Sequence, residues 1–281
     1  MNPNSSEAAA IGRAEAALGG PVTLSRLVVD LRKLDIPADR PVLVHSSLSS
    51  LGWVAGGPHV VVDAMVEAFG VSTTIVVPTQ SGDRSDPSYW NNPPVPEHWV
   101  PIIRAEMPAF DPARVETRGM GRIVEAFRTD ARSVRGSHPT VSFAAIGPEA
   151  DWIVSPHPLA PQFGEHSPLA RLYEKRAVVL HIGTTFATNT AFHLAEHRAN
   201  WPGKPALRND GAAVFVDDVR EWVTFVDEPT DDDDFVAIGD AFCSVHPLVE
   251  GLVGAATCRW FPMVESVDFA VGWMNQNRGR S

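Results

Sequence analysis

Apolar and polar positions alternate along this chain in blocks that predict strands and helices in turn. Short apolar runs, typical of buried strands, occur at residues 41–46, 73–78, 137–147 and 177–183. Helices are predicted before and between them because apolar residues recur there at helical spacing, as in Leu24, Leu27, Val28 and Leu31 behind the N-capping residue Thr23. This order predicts an α/β fold with a central mixed sheet flanked by helices.

Other signals extend this assignment to both ends of the chain. Pro58 and Pro168 each suit the first position of a helix. Residues 212–216 and 221–226 are predicted to form a hairpin, and the segments 242–258 and 263–273 a helix and a strand. The first 20 residues or so are predicted to be frayed or a short helix. We predict a single domain spanning residues 1–281, with two fused subdomains as the alternative.

The segment 188–200 follows the predicted strand 177–183 and is the candidate reacting centre. Thr188 and Asn189 are its candidate N-caps. Helical spacing separates an apolar stripe from a polar one, the latter made by His193, Glu196, His197 and Asn200. Two imidazoles and a carboxylate just past a buried strand are costly unless water, a partner or a substrate meets them. We therefore expect this polar stripe to face a ligand, although a solvated face is the alternative.

Charge and cysteine content narrow the class of protein. The net charge of −11 argues against nucleic acid and anionic membranes as partners and favours cationic ones. Cys243 and Cys258 lack a metal-type spacing, which suits a reducing compartment. No apolar run approaches the roughly 20 residues of a membrane span, and the first residues lack the pattern of a secretory signal. A soluble, cytoplasmic protein is predicted.

Three loops are candidates for binding. Residues 46–57 form a loop rich in serine and glycine between a strand and a helix, a layout that offers backbone N–H groups to an anion such as a pyrophosphate. Residues 79–96 form a long irregular stretch with aromatic residues, typical of a binding wall. Residues 227–234, the acidic segment, are predicted to be a solvated loop, with recruitment of a polycation as the alternative.

Six runs, in this order along the chain, resemble the aminoglycoside 3-N-acetyltransferase family. They are VHSSLSSLGWVAGG (44–57), DPSYWNNPPVP (86–96), TRGMG (117–121), SHPTVSF (137–143), GEHSPLA (164–170) and NTAFHLAE (189–196). The resemblance implies an antibiotic N-acetyltransferase fold rather than the more common GNAT fold. It also implies acetyl-coenzyme A-dependent N-acetylation of an aminoglycoside at the 3-amino group of its 2-deoxystreptamine ring, and hence antibiotic resistance.

An ammonium group must lose a proton before it can attack a thioester, so the reaction needs a general base. The resemblance favours His193 as that base. Glu196, one helical turn away, is the first candidate for the carboxylate that orients it, with Asp83, Asp86 or Glu165 as alternatives. His45 is a second candidate for the base, although a buried strand histidine is equally consistent with its position.

The resemblance also implies two sets of binding residues. One set would hold acetyl-coenzyme A: Ser46, Ser47, Ser49, Val54, Gly56, Gly57, Thr117, Arg118, Met120 and Gly121. The other would line an aminoglycoside site, with carboxylates for ammonium groups and aromatic rings for sugar faces: Asp83, Asp86, Tyr89, Trp90, Asn91 and Glu165. We expect no metal, no nucleic acid and no membrane partner, and a monomer or a homodimer.

Three departures from the family pattern lie beside the presumed centre. His166 replaces a usual glycine, Thr185-Phe186-Ala187 replaces Gly-Tyr/His-Asp, and His197 replaces a usual tyrosine. They leave open acetylation of a smaller amine instead of an aminoglycoside.

Two further alternatives belong to other classes of protein. Residues 193–197 also spell H-x-x-E-H, a zinc hydrolase pattern that would need a third ligand such as Glu221, Glu228 or Glu250. If the departures had abolished the chemistry, a non-catalytic antibiotic-binding or scaffold protein would follow.

Overall fold

The computed structural model describes residues 3–279. Its α-helices are α1 (Pro3–Leu18), α2 (Leu24–Arg32), α3 (Pro58–Phe69), α4 (Val100–Glu106), α5 (Arg122–Arg128), α6 (Ala150–Val154), α7 (Pro168–Glu174), α8 (Ala191–Arg198), α9 (Phe235–Val245) and α10 (Met263–Asn277). Its strands are β1 (Val42–Ser46), β2 (Ile75–Pro78), β3 (Val134–Arg135), β4 (Phe143–Ile146), β5 (Val178–Ile182), β6 (Arg208–Val216), β7 (Val219–Asp227), β8 (Val249–Val253) and β9 (Ala256–Pro262). Residues 1–2 and 280–281 of the predicted domain lie outside the described residues.

The central sheet has seven strands in the order β3-β4-β2-β1-β5-β9-β8. Strand β1 pairs in parallel with β2 and β5, whereas the outer strands pair antiparallel. The three parallel strands are almost wholly buried, as expected for continuous apolar runs covered by helices on both faces. The predicted α/β fold with a central mixed sheet flanked by helices is confirmed.

Each face of the sheet carries its own apolar core, because neighbouring residues of a strand point to opposite faces. Val42 and Val44 pack with helices α2, α3 and α5 in one core. Leu43 packs in the other, together with residues from α6 to α10. The helix α8, which carries His193, therefore lies on the second face of the sheet.

The C-terminal part differs from the prediction. The segment 242–258, predicted as a helix, holds the end of α9 and then β8 and the start of β9, which are separated at Gly254. Gly254 has φ +55°, a backbone conformation that favours glycine and suits a tight turn. The segment 263–273, predicted as a strand, lies in α10. Its buried Met263, Val267, Ala270 and Met274 recur every three or four residues, which is helical spacing.

The predicted hairpin is confirmed as β6 and β7, but the structure forms it as a separate two-stranded sheet. Hydrogen bonds attach the hairpin to the segment that follows α4. The Phe110 N–H donates to the Ala213 carbonyl at 2.9 Å, and Arg220 donates to the Met107 carbonyl at 3.1 Å. The hairpin therefore lies outside the central sheet, whose edge strands are β3 and β8.

Residues 3–18, expected to be frayed or a short helix, form the 16-residue helix α1. Its Ala14 is buried, and Arg13 donates to the Ser49 carbonyl at 3.0 Å. Glu7 accepts from the indole of Trp53 at 3.0 Å. Helix α1 thus packs on the serine- and glycine-rich loop. Among residues 3–279, no helix combines the length and the apolar character required to cross a membrane.

Candidate active site

A cavity of about 280 Å³ lies at the carboxyl ends of the three parallel strands. Strand β1 ends there between β2 and β5, the position in open α/β sheets where ligands commonly bind. Fifteen residues line the cavity: Val44, His45, Ser46, Pro78, Gln80, Gly119, Met120, Val124, Thr184, Ala187, Thr188, Thr190, His193, Asp232 and Phe235. The site brings His193, His45, Ser46 and Met120 together from three predicted elements: the helix 188–200, the strand 41–46 and the loop 117–121.

Helix α8 presents His193 to this cavity. It begins one residue later than expected: Thr190 occupies the N-cap position without a side-chain cap, so the predicted capping by Thr188 or Asn189 is wrong. The imidazole of His193 stacks on Phe163 at 4.6 Å between ring centroids and contacts Phe235 at 4.9 Å. Two aromatic rings therefore hold the imidazole at the wall of the cavity.

Glu196 holds the other side of the imidazole. Its Oε2 lies 2.6 Å from Nδ1 of His193, and the residue is only 5% exposed. Because a carboxylate can only accept hydrogen bonds, Nδ1 carries the proton and Nε2 is left as the acceptor. Asp83, Asp86 and Glu165, the alternative partners, make no such contact with His193 among the hydrogen bonds and ion pairs of the described residues.

His45 lies at the end of β1, in the wall of the same cavity. It is 4% exposed, and its Nε2 has no hydrogen-bond partner within the described part of the chain. Burial, together with the nearby charge of His193, lowers the pKa of His45 to about 3. A lowered pKa favours the neutral imidazole and disfavours His45 as the general base. Behind it, the ring of His181 packs edge-on at 5.4 Å.

The serine- and glycine-rich loop leads away from the cavity. Of its candidate residues only Ser46 lines the cavity, and its Oγ is buried without a partner among residues 3–279. Ser47 and Ser49 contact each other through their hydroxyls at 3.3 Å. Val54 pairs with Val22 in an isolated bridge.

Gly56 and Gly57 follow, with φ of +92° and +72°, directly before α3. A Cβ on Gly56 would lie 2.6 Å from Cγ2 of Val60, whereas one on Gly57 would meet no atom within 4 Å. Both backbone conformations favour glycine, and the open face of Gly57 leaves room for a ligand at the start of the helix.

The loop 117–121 holds the other candidate coenzyme residues. Some of them stabilise the loop itself, and one lines the cavity. Thr117 donates from both its N–H and its hydroxyl to Glu125, so its side chain supports the loop. Gly121 is the N-cap residue of α5, with φ +86°. Met120 lines the cavity. Arg118 is exposed and donates to the Asn92 carbonyl at 3.0 Å, which ties this loop to the long loop 79–96.

Two carboxylates predicted to meet a substrate are already paired with arginines. Asp86 is buried and accepts from Arg104 at 2.8 Å. Burial raises the pKa of Asp86, but hydrogen bonds from Arg104 and Ser88 outweigh it and hold that pKa below its usual value. Glu165 binds Arg198 through two bonds of 2.7 and 2.8 Å, which lower its pKa likewise.

The remaining wall residues lie in the long loop, outside the His193 cavity. The ring of Tyr89 is exposed and lies 4.4 Å from the guanidinium of Arg208. The indole of Trp90 donates to Ser85 at 3.1 Å. Asp83, Tyr89, Trp90 and Asn91 line a groove of about 370 Å³ together with Arg118. The structure thus groups most of the predicted substrate residues, but on a neighbouring surface.

The acidic segment is solvated in part: Asp231, Asp232 and Asp233 are exposed, whereas other contacts tie the segment to the site. Asp227 is buried and accepts from the Gln162 N–H at 3.0 Å, and burial raises its pKa. Asp231 donates its N–H to Glu196 at 3.0 Å, and Asp232 lines the cavity of His193. The segment therefore forms part of the site wall. The clustered negative charge of this segment was the one feature of the sequence that could have indicated its place in the site. Arg278, which binds Glu196 at 2.6 Å, also belongs to this surrounding, but no sequence pattern indicated it.

The end of α8 is closed by Lys204. Its Nζ donates to the carbonyls of Glu196, His197 and Ala199 at 2.9, 3.2 and 3.0 Å. These carbonyls would otherwise lack partners, as the last ones of a helix do. The ammonium also lies 3.4 Å from Glu228. Lys204 is therefore fixed beside the catalytic candidate Glu196 through the backbone.

The zinc alternative gains no support from the arrangement of ligands. His197 lies 3.5 Å from Glu228, and His193 is bonded to Glu196, so the two imidazoles have separate partners. Glu250 pairs with Arg259. Within residues 3–279, the group of three possible ligands with atoms inside 4.8 Å of one another is the exposed Asp231, Asp232 and Asp233.

The residues that depart from the family pattern at positions 166, 186 and 187 differ in burial and in their contact with the cavity. His166 is exposed. Phe186 is buried against Phe192 and Phe261, at 5.9 and 5.2 Å between ring centroids. Ala187 lines the cavity. The change at position 186 thus fills the core, whereas position 187 presents only a methyl group to a ligand.

Comparison with known proteins identifies the family to which this chain belongs. A family model described as aminoglycoside 3-N-acetyltransferase matches residues 43–275. The aminoglycoside N(3')-acetyltransferase-like protein YokD of Bacillus subtilis, derived from prophage SPbeta, is 41% identical over 93% of this chain and 95% of its own. Aminoglycoside N(3)-acetyltransferase VIII of Streptomyces fradiae is 36% identical, covering 93% and 94%.

Solved structures give the same result. The crystal structure of YokD has a TM-score of 0.89 and covers 93% of this chain and 96% of that one. AAC-IIIb in a binary complex with CoASH is 27% identical, with a TM-score of 0.82 and coverage of 93% and 99%. AAC-VIa bound to sisomicin is 31% identical, with a TM-score of 0.79 and coverage of 91% and 98%. These neighbours confirm the predicted antibiotic N-acetyltransferase fold, and the chain belongs to the aminoglycoside 3-N-acetyltransferase family of acyltransferases.

Proposed function

We propose that this protein transfers the acetyl group of acetyl-coenzyme A to the 3-amino group of the 2-deoxystreptamine ring of an aminoglycoside. The observation that carries the proposal is the His193–Glu196 pair at the wall of the cavity. Relatives that bind CoASH and sisomicin support both substrates. The proposed protein is a single cytoplasmic domain without a metal, active as a monomer or a homodimer.

In the proposed reaction Nε2 of His193 takes the proton of the substrate ammonium, and the free amine attacks the thioester carbonyl. Glu196, bonded to Nδ1, stabilises the imidazolium that forms. The C–S bond then breaks: the departing thiolate takes the proton from the imidazolium and leaves as coenzyme A, and the second proton of the attacking nitrogen is released to solvent, which leaves the neutral amide. The neutral His45 and the hydroxyl of Ser46 are candidate donors to the carbonyl oxygen, because both carry unpartnered polar atoms within the described residues.

Coenzyme binding is proposed for the loops 46–57 and 117–121, each of which contributes one candidate residue, Ser46 or Met120, to the cavity wall. The first supplies Ser46, Ser47, Ser49, Val54, Gly56 and Gly57, and the second supplies Thr117, Arg118, Met120 and Gly121. Arg118 supplies a guanidinium suited to phosphate. The aminoglycoside would lie along the groove of Asp83, Tyr89, Trp90 and Asn91, and towards Asp232.

The alternative substrate is a smaller amine, and one observation favours it. Asp86 and Glu165 are both neutralised by arginines, so they offer less charge to a polycation than their sequence pattern suggests. Thiol release from acetyl-coenzyme A should be measured with gentamicin, sisomicin and a simple monoamine. Release with the aminoglycosides supports the first proposal, release with the monoamine alone supports the second, and release with none overturns both.

Replacing Gly57 with Val is expected to abolish the thermal stabilisation of the protein by coenzyme A. A branched side chain at φ +72° would block backbone approach at the start of α3, whereas at about 100 Kd of ligand the native protein should gain about 2.7 kcal/mol. Gly70→Val is the matched control, because Gly70 has φ +80° and similar open space at the other end of the helix. Equal coenzyme stabilisation in both folded variants would remove this loop from the site.

Purified protein is expected to carry no stoichiometric zinc and to keep its transferase activity in the presence of a chelator. His193 and His197 have separate carboxylate partners, so their geometry does not provide three convergent ligands. Elemental analysis and a chelator titration check this. About one equivalent of zinc per chain, with activity lost on chelation, would overturn the proposed reaction.

A further inference from the structure

Arg278, at the end of α10, joins the His193–Glu196 pair to the acidic segment. Its Nη1 donates to Oε1 of Glu196 at 2.6 Å. Its Nε and Nη2 donate to the two carboxylate oxygens of Asp234 at 2.7 and 2.6 Å, and Nη2 also donates to the Asp231 carbonyl at 2.9 Å. The side chain is 10% exposed, so water screens these contacts little.

These bonds leave Glu196 with no freedom to turn. One carboxylate oxygen accepts from His193, and the other accepts from both Arg278 and the Asp231 N–H. A carboxylate held at both oxygens keeps the imidazole in one orientation and one tautomer, as the orienting carboxylate of a triad does. Without Arg278, the second oxygen would keep only the backbone donor.

The guanidinium also sets the charge around His193. With Arg278 in place, the carboxylates of Glu196 and Asp234 share one buried cation, and Trp201 covers the guanidinium at 5.0 Å. The other titratable groups around His193 face it from its own helix, from β1 and from the segments that line the two adjoining cavities: Glu196, His197, His45, Lys204, Asp227, Glu228 and Asp232. Removing the one arginine would make this surrounding more negative.

We propose that Arg278 is a positioning residue that fixes Glu196 for its bond to His193 and attaches the acidic segment to the wall of the cavity. The proposal rests on the proposed function, since it assigns His193 as the base. It makes the residue that follows α10 part of the site, although Arg278 does not line the main cavity and touches no reacting atom.

The first test follows the imidazole directly. The His193 signal is identified by its absence in His193→Asn. NMR titration of the free protein should then show a midpoint of the His193 imidazole about 1 pH unit higher in Arg278→Gln than in the wild type, because loss of the nearby cation favours the imidazolium. Arg278→Lys keeps the charge and should keep the midpoint near that of the wild type. This readout needs no turnover, so it tests the inference even if thiol release fails and the proposed function falls.

The second test is a double-mutant cycle on turnover of gentamicin. Arg278→Gln should lower kcat about 10-fold and move the acid limb of the kcat/KM profile to higher pH, and it should add little in a Glu196→Gln background. Asp234→Asn should raise KM more than it lowers kcat, because it releases the acidic segment from Arg278 but leaves the bond between Arg278 and Glu196. Arg176→Gln, which removes an exposed arginine 3.9 Å from Glu265, should change neither.

Two outcomes overturn the inference. One is an unchanged imidazole midpoint in Arg278→Gln that remains folded by circular dichroism. The other is the same fold-loss of kcat in the Glu196→Gln background as in the wild type, since Arg278 would then not act through Glu196.

Discussion

His193→Ala is expected to lower kcat by about 10²–10⁴-fold, the usual contribution of a positioned proton acceptor. The imidazole is the group in the cavity wall with its orientation fixed by a carboxylate at 2.6 Å. His193→Asn should be as inactive, because an amide forms hydrogen bonds without accepting the proton. Steady-state kinetics with gentamicin and acetyl-coenzyme A measure the loss.

Two further readouts separate a lost base from a lost fold. Coenzyme A should still stabilise His193→Ala against heat, since the candidate coenzyme loop 46–57 lies on another element. The activity of the wild type should rise with pH as the imidazole and the amine lose protons, and only the contribution of the amine should remain in the variant.

His166→Ala is the matched control for this substitution, because His166 is exposed and should tolerate it. His197→Ala should likewise cost far less than His193→Ala. A larger loss in His197→Ala, with His193→Ala near the wild type, would show that the wrong face of α8 has been assigned.

The protein is expected to unfold cooperatively on acidification between about pH 6 and pH 4. Burial lowers the pKa of His45 and His138 to about 3 and that of His157 to about 4, from an ordinary value of 6.5. The unfolded chain therefore binds more protons than the native one between these values, so stability falls as the pH falls. Each such histidine removes about 1.4 kcal/mol per pH unit, so three together remove about 8–13 kcal/mol over about 2–3 units, which is comparable to a typical stability of about 5–15 kcal/mol.

His181 offers a direct check of this mechanism. Burial holds its pKa well below 6.5, and neither ring nitrogen has a partner among the described residues. His181→Leu should reduce the slope of unfolding free energy against pH by about 1.4 kcal/mol per unit between pH 6 and 5. His59→Leu, at an exposed position, should leave it unchanged. Urea unfolding at several pH values gives the slopes, and equal slopes in His181→Leu and the wild type would contradict the mechanism.

The parts of the fold that sequence alone predicted are those where pattern and local chemistry agree. The parallel strands are continuous apolar runs, and Pro58 and Pro168 each occupy the first turn of a helix, as their fixed φ favours. The strand predicted at 263–273 failed because apolar residues there recur every three or four positions, and the irregular polar residues between them obscure the period. The turn at Gly254 and the two strands that it joins, β8 and β9, were missed because a single glycine is a weak turn signal and the strands show little alternation of apolar and polar residues.

The site was predicted where residues are local in sequence and missed where contacts are long-range. His193 and Glu196 are three residues apart, so helical geometry alone brings them within reach. Arg278 lies 82 residues from Glu196, and only the packing of α10 against α8 brings them together. The neutralisation of Asp86 by Arg104 is hidden for the same reason, since the pair depends on how the long loop folds back on α4.

The contacts of Lys204 also matter for ligand binding in a protein proposed to acetylate amines. The sequence contains three lysines, and Lys204 is the one whose nitrogen lines the small cavity behind His193. Its ammonium directs hydrogens to three backbone carbonyls and lies beside Glu228. An ammonium whose three hydrogens all point to protein carbonyls has none left to donate to a ligand. The contacts that close the helix therefore also keep Lys204 from binding a ligand in this small cavity.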